Sequence, residues 1–180
     1  MIATNLFTSE EMHSAAEVEI RDLIDEDLHN IADSTYHLIE THNAAVQQKV
    51  NNDLEVAQYL LQQEGGLRQC SRNNTFTSDA MNQFSGQIFR VSLPTLCVGN
   101  TQLRITDSFD TPVPVIDTVQ ELVGGTVTLF QRINAEGDLL RIATNVPTID
   151  GQRAVNTFIP AQNMNGTPNE VVSAILRGET

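Results

Sequence analysis

Two hydrophobic periods divide the chain. From Glu10 to Glu64 no glycine or proline occurs, and apolar or tolerable residues recur in steps of three and four at Ile24, Leu28, Ile31, Thr35, Leu38, His42, Val46, Val50, Leu54, Ala57 and Leu61. That spacing lines one face of an α-helix. Thr8 followed by Glu11 forms a capping-box pattern ahead of it, and Glu10 and Glu11 suit the positive end of the helix dipole. A single helix over this span is roughly 80 Å long at ~1.5 Å per residue, more than the width of a domain this size. The spacing therefore predicts that the N-terminal half projects and pairs with another helix, most simply its own copy in a dimer. Asn51-Asn52-Asp53 is its weakest stretch.

After Gly65-Gly66 the period shortens. Phe76–Gln83 and Gln87–Leu93 alternate as two strands around Ser85-Gly86, with Pro94 ending the second. Val113–Val123 is ambiguous and is read as a short helix entered through Pro112 and Pro114. The clearest strands are Thr126–Ile133 and Leu139–Val146, joined by the hairpin loop Asn134-Ala135-Glu136-Gly137-Asp138. Asp150-Gly151 marks a turn and Arg153–Ile159 a further extended segment. Thr167-Pro168-Asn169-Glu170 predicts a helix start with Thr167 as N-cap, and Gly178 its end. The expected fold is α+β, with a long N-terminal helix ahead of a domain built on an antiparallel sheet.

Charge sharpens the same division. Met1–Gly66 holds 13 acidic residues against Arg21 and Lys49, a net of −11, whereas Leu67–Thr180 holds ten acids against eight arginines, a net of −2. All four histidines lie in the first part and all six prolines in the second. The expected organisation is thus a long acidic helix over 1–66, available for dimerisation, and a sheet domain over 67–180. The whole chain carries −13, the wrong sign for neutralising phosphates, so nucleic acid is not an expected partner. Forty per cent apolar residues suffices for a packed core, and no run approaches the ~18 apolar residues of a membrane span. Cys70 and Cys97 are too few for a disulfide scaffold and lack metal-ligand spacing; whether they pair stays open.

Little here resembles catalytic machinery. There is no Gly-x-Ser-x-Gly elbow, no histidine in the sheet domain, and no base beside either cysteine. Asp107, Asp110 and Asp117 flank a proline-rich stretch as a conceivable acid pair, but loop carboxylates are commonly just solvated. His29, Asp33 and His37 share a helix face at four-residue steps, yet the ladder lacks a fourth ligand and is better read as surface. No enzyme, cofactor or metal is expected. The arginines offer more. With no lysine in the sheet domain, Arg132, Arg141 and Arg153 fall on or beside the hairpin, where guanidinium groups can hold a carboxylate in two-point fashion. Thr144, Asn145 and Thr157 supply neutral hydrogen bonds alongside. The competing reading pairs each arginine with a nearby acid on the sheet surface.

The run Gly124-Gly125-Thr126-Val127-Thr128-Leu129-Phe130-Gln131-Arg132-Ile133-Asn134, then Gly137–Val146, Asp150–Ala161 and Asn165–Asn169 to Gly178-Glu179-Thr180, resembles the Cache 3/Cache 2 fusion sensor domain of bacterial methyl-accepting chemotaxis proteins. Ala80-Met81-Asn82-Gln83, Ser92-Leu93-Pro94 and Pro114-Val115-Ile116-Asp117 also fit, and the resemblance spans about Gln48 to the C-terminus. Asn156 stands where that family has glycine.

The resemblance implies a PAS-like, extracytoplasmic ligand-binding domain whose long helix descends from a membrane span. In the related citrate- and dicarboxylate-sensing kinases, the corresponding strand carries an arginine and, three residues on, a histidine that hold the ligand carboxylate. The matching positions here are Arg141 and Thr144, so one cation of that pair is missing. Such domains continue past Gly-Glu-Thr with at least two more strands, which implies an incomplete Cache domain. The expected function is a sensor for a small anionic metabolite that signals through a dimeric helix in a periplasmic, membrane-anchored chemotaxis receptor. The alternatives are the sensor of a histidine kinase or diguanylate cyclase, or a helical adaptor without a small ligand.

Overall fold

The computed structural model describes residues 8–179. The first seven residues of the acidic segment, and Thr180 at the end of the matching stretch, lie outside the described residues. The chain forms two compact units, residues 1–49 and 50–180.

Helix α1 (Ser9–Gln63) runs unbroken for 55 residues, through Asn51-Asn52-Asp53 without interruption. Its start is the predicted capping box. The Thr8 amide donates to Glu11 Oε2 at 2.9 Å, and the Glu11 amide donates back to Thr8 Oγ1 at 3.4 Å. Within the first unit the helix buries no residue; Ile24, Leu28, Ile31 and Leu38 are all more than half exposed. The helix ends at Glu64-Gly65-Gly66, where both glycines take positive φ.

The second unit carries two sheets. The smaller one orders β1 (Leu67–Gln69), β4 (Leu96–Val98) and β5 (Thr101–Gln102) as β1-β4-β5. None of its strands was apparent from the pattern of side chains. It is fastened by a disulfide between Cys70 and Cys97, 27 positions apart in sequence. Gly99, between β4 and β5, meets the end of α1 so closely that a Cβ there would lie 2.0 Å from Glu64 O, and its amide donates to Gly66 O. Only glycine fits.

The larger sheet contains β2 (Thr75–Asn82), β3 (Ile88–Pro94), β6 (Thr128–Arg132), β7 (Leu139–Thr144) and β8 (Thr157–Ile159), in the order β3-β2-β8-β7-β6. Three of its pairings are antiparallel, and β2 runs parallel to β8 over Met81–Asn82. A bulge between Leu129 and Phe130 shifts the β6–β7 register. The segment read as extended from Arg153 forms a strand only from Thr157, because Asn156 turns the chain with φ of 63°.

Two apolar clusters hold this unit. One joins Ala80, Leu93, Leu140, Ile142 and Phe158 of the large sheet. The other gathers Val98, Leu103, Val113, Val115, Ile116, Val119 and Ala143, with Ala57, Leu60 and Leu61 of α1 packed against it. Full burial of a side chain such as Leu140 or Val119 contributes about 1.5–3 kcal/mol. Helix α2 (Ile116–Val123) supplies Ile116 and Val119 and stops at Gly124 in the left-handed conformation. Helix α3 (Glu170–Arg177) buries Val172 and ends at Gly178 as expected. Its N-cap is not Thr167. Asn169 caps it, accepting from the amides of Val171 and Val172, while Thr167 turns its hydroxyl to Asn165. The Asn169 side-chain oxygen, two residues on, sits where the first free amides of the helix point.

Candidate functional site

Register across the large sheet sets a row of side chains on one face. Ile88 pairs with Met81, Met81 with Thr157, and Arg141 with Phe130. The β7–β8 pairing of Leu140 with Phe158, carried one residue along both strands, sets Arg141 beside Thr157. Residues at one level of a sheet share a face. The row therefore reads Ile88, Met81, Thr157, Arg141, Phe130. Its β3 end is open, with Ile88 60% and Met81 39% exposed.

Arg141 is its chemical centre. The guanidinium lies 5.7 Å from the centroid of the Phe130 ring, and Nη1 donates to Ala154 O at 3.1 Å. Nε is buried and has no acceptor among the described residues. Partial burial lowers the Arg141 pKa from its ordinary value, because a desolvated cation is disfavoured. Even so, arginine stays charged at any physiological pH. The edge formed by Nε and Nη2 makes no protein hydrogen bond, and that edge is one of those able to receive both oxygens of a carboxylate. The other buried side-chain polar atom without a partner among the described residues is Gln131 Oε1. It lies one residue along β6 and, opposite Leu140, faces the other way.

The remaining residues singled out from sequence occupy different places. Arg132 turns onto its own hairpin loop, donating to the carbonyls of Asn134 and Ala135. Arg153 is 2% exposed and holds Asp117 through two bonds, Nη1–Oδ1 at 2.7 Å and Nη2–Oδ2 at 2.9 Å. It also donates to the carbonyls of Ser108, Thr111 and Thr144 and lies over the Phe109 ring. Its hydrogen-bonding capacity is thereby taken up inside the fold. Thr144 is fully buried, its hydroxyl lying between Val127 O and Thr128 Oγ1. Asn145 is buried beside it, accepting from the Val127 amide and donating to Gly125 O, which aligns the start of β6. Sequence reasoning thus set six residues together, and the fold places Arg141 and Thr157 in one row, with Thr144, Asn145 and Arg153 at the far end of β7.

Phe130 and Met81 were missing from the sequence-based set of binding residues. Phe130 was within reach, because counting back across the Asn134–Asp138 loop brings it opposite Arg141 to within one residue. Met81 was not, since its place depends on the parallel pairing of β2 with a strand whose partner residue, Thr157, lies 76 positions later.

A long helix leading into a five-stranded sheet of order β3-β2-β8-β7-β6 is consistent with a PAS-like fold. The family model of the Cache 3/Cache 2 fusion domain matches residues 13–180, and the chain belongs to that family. The match begins within the first turns of α1, so most of the long helix is part of the family's domain rather than an addition to it. Cache domains are sensory rather than catalytic, bind small molecules, and are typically extracytoplasmic. No curated protein and no solved structure matches the chain.

Proposed function

We propose that this Cache domain senses a small anionic metabolite held by Arg141, and that α1 carries the signal as one helix of a homodimer. The observation that supports this most is the Arg141 guanidinium, drawn partly out of water on a central strand with its Nε–Nη2 edge unpaired. A buried donor without a partner costs roughly 1–3 kcal/mol, more for a charged group, and an incoming carboxylate removes that cost. Thr157 offers a neutral hydrogen bond next to it, and Phe130 and Met81 an apolar surround.

Arg132, Arg153, Thr144 and Asn145 then shape the site instead of touching ligand: Arg132 orders the hairpin, and the other three hold the end of β7. The Cys70–Cys97 disulfide supports an oxidising, extracytoplasmic setting such as a periplasm. Among the described residues no helix is long and apolar enough to cross a membrane. A methyl-accepting chemotaxis protein is the receptor class we assign.

The dimer rests on Ile24, Leu28, Ile31 and Leu38, exposed at three-, four- and seven-residue steps. The reading is tested by thermal shift of the chain against a panel of mono-, di- and tricarboxylates, alongside sedimentation at low and high salt. At least one anion is expected to raise Tm. Dimerisation is expected to strengthen with salt, because the acidic helices repel. A panel without any stabilising anion overturns the ligand assignment, and a monomer at high micromolar concentration overturns the dimer.

A further inference from the structure

An apolar pocket, partly open to solvent, lies elsewhere in the 50–180 unit, between the last turns of α1 and the cluster around Val119. Its volume is about 150 Å³. Ala57 and Leu61 line it from the helix, and Val115, Val127 and Thr128 from the opposite side. Gln58 and Thr128 bring the only polar side chains to its wall. The Thr128 hydroxyl already bonds Thr144 Oγ1 at 2.8 Å, so it adds little polarity. The pocket is partly open on the α1 side, where Leu54 is 40% exposed, and closed by buried Val98, Leu103 and Ile116 on the other. A space of this size with aliphatic walls matches one benzene ring.

A separate observation marks the same wall. Val115 has φ of 68° and ψ of −49°, and the Ile116 amide donates to Pro114 O at 2.8 Å. That is the geometry of a classic γ-turn, which is rare and strained. A β-branched residue is among the least tolerant of positive φ. Strain of this kind persists where surrounding structure enforces it, and it collects at ligand clamps and switch regions. Here it keeps Val115 against the cavity, 8% exposed, at the entrance of α2.

From the cavity's size, its apolar wall and the strained turn, we infer that the domain has a second binding site, for an uncharged apolar molecule the size of one benzene ring. The site is independent of Arg141. It rests on α1 at Leu54, Ala57 and Leu61, so its occupant bears directly on the helix. A phenol or a carboxylate is disfavoured there, since a wall with so few polar groups leaves its oxygen unpaired.

The test uses toluene as probe and the methyl NMR spectrum of the 180-residue chain. Saturable shifts are expected at the methyls of Ala57, Leu61, Val115 and Val127, together with a rise in Tm. Ala57→Leu fills the space and is expected to weaken toluene binding more than tenfold, and Val127→Leu to do the same by another route. Arg141→Ala is expected to leave toluene binding unchanged, which separates this site from the anion site. The inference fails if toluene shifts are unsaturable or scattered over exposed α1 residues such as Ile24 and Leu28. It also fails if a folded filling variant binds toluene like the parent chain. Should both variants unfold, the methyl map of the parent chain decides alone.

Discussion

Arg153 and Asp117, 36 residues apart, meet in a two-point ion pair that ties the start of α2 to the turn after β7. The Arg153 side chain is 1% exposed and that of Asp117 27%. The same carboxylate accepts the Val113 amide at 2.7 Å, so one acid organises both the arginine and the approach to α2. Removing one partner of a buried pair leaves the other charge uncompensated, which typically costs about 3–5 kcal/mol. Arg153→Met is expected to lower the unfolding free energy by about that much in urea titrations. Asp117→Asn should cost a similar amount: the amide keeps an acceptor for Val113, but the buried Arg153 cation loses its counter-charge. The double variant should cost less than the two single losses together; strict additivity would show that the residues do not act as a pair.

Asn156 adopts φ of 63°, and its Oδ1 accepts the Ser78 hydroxyl at 2.7 Å. Glycine is free in this region and asparagine tolerates it, whereas a β-branched side chain does not. Asn156→Gly is expected to change stability by less than about 1 kcal/mol, trading one hydrogen bond for an unstrained backbone. Asn156→Val should lose about 2 kcal/mol or more. Equal urea midpoints for the valine variant and the parent would contradict the strain.

The disulfide fastens β1 to β4 within the smaller sheet and closes a loop of 27 positions that contains β2 and β3. Chain-entropy reasoning gives such a closure about 3.5 kcal/mol. The Cys70→Ser/Cys97→Ser protein is expected to lose about 2–4 kcal/mol, and the parent chain to show the same drop once reduced by a dithiol. A reduced chain as stable as the oxidised one would show that the β1–β4 pairing needs no staple.

What could be read beforehand follows from how local each feature is. The Thr8–Glu11 box, the unbroken α1 and the Gly178 stop each depend on a few adjacent residues, and each was legible. The sheet of β1, β4 and β5 was not, since strands of two or three residues are too short to show alternation. Thr167 and Asn169 are both good caps, and the backbone alone chose between them. In the site, arginine could be recognised as an anion binder but not assigned a partner. Arg153 found Asp117 across 36 residues, while Arg141 met only a carbonyl and a ring.

Glu11 responds to acid. Its pKa lies below the ordinary carboxylate value, first because the Thr8 amide donates to it and then because the Thr8 hydroxyl does. A group whose folded pKa is depressed stabilises above its unfolded value and loses that contribution as pH falls through the folded one. The Cα shifts of Glu10–His13 should therefore stay helical through the ordinary carboxylate range and move toward coil only as pH falls below it. Thr8→Ala should remove this step; a step that persists in Thr8→Ala would assign the fraying to another carboxylate.

The account depends above all on Arg141. The direct measurement is isothermal titration of the best anion from the carboxylate panel into the parent chain, Arg141→Ala and Arg141→Lys. A lost two-point contact should cost about 1.5–3 kcal/mol, so Arg141→Ala is predicted to bind more than tenfold more weakly. Arg141→Lys should fall between, because an ammonium keeps the charge without the paired donors. Unchanged affinity in Arg141→Ala, with its fold intact, would contradict the central claim.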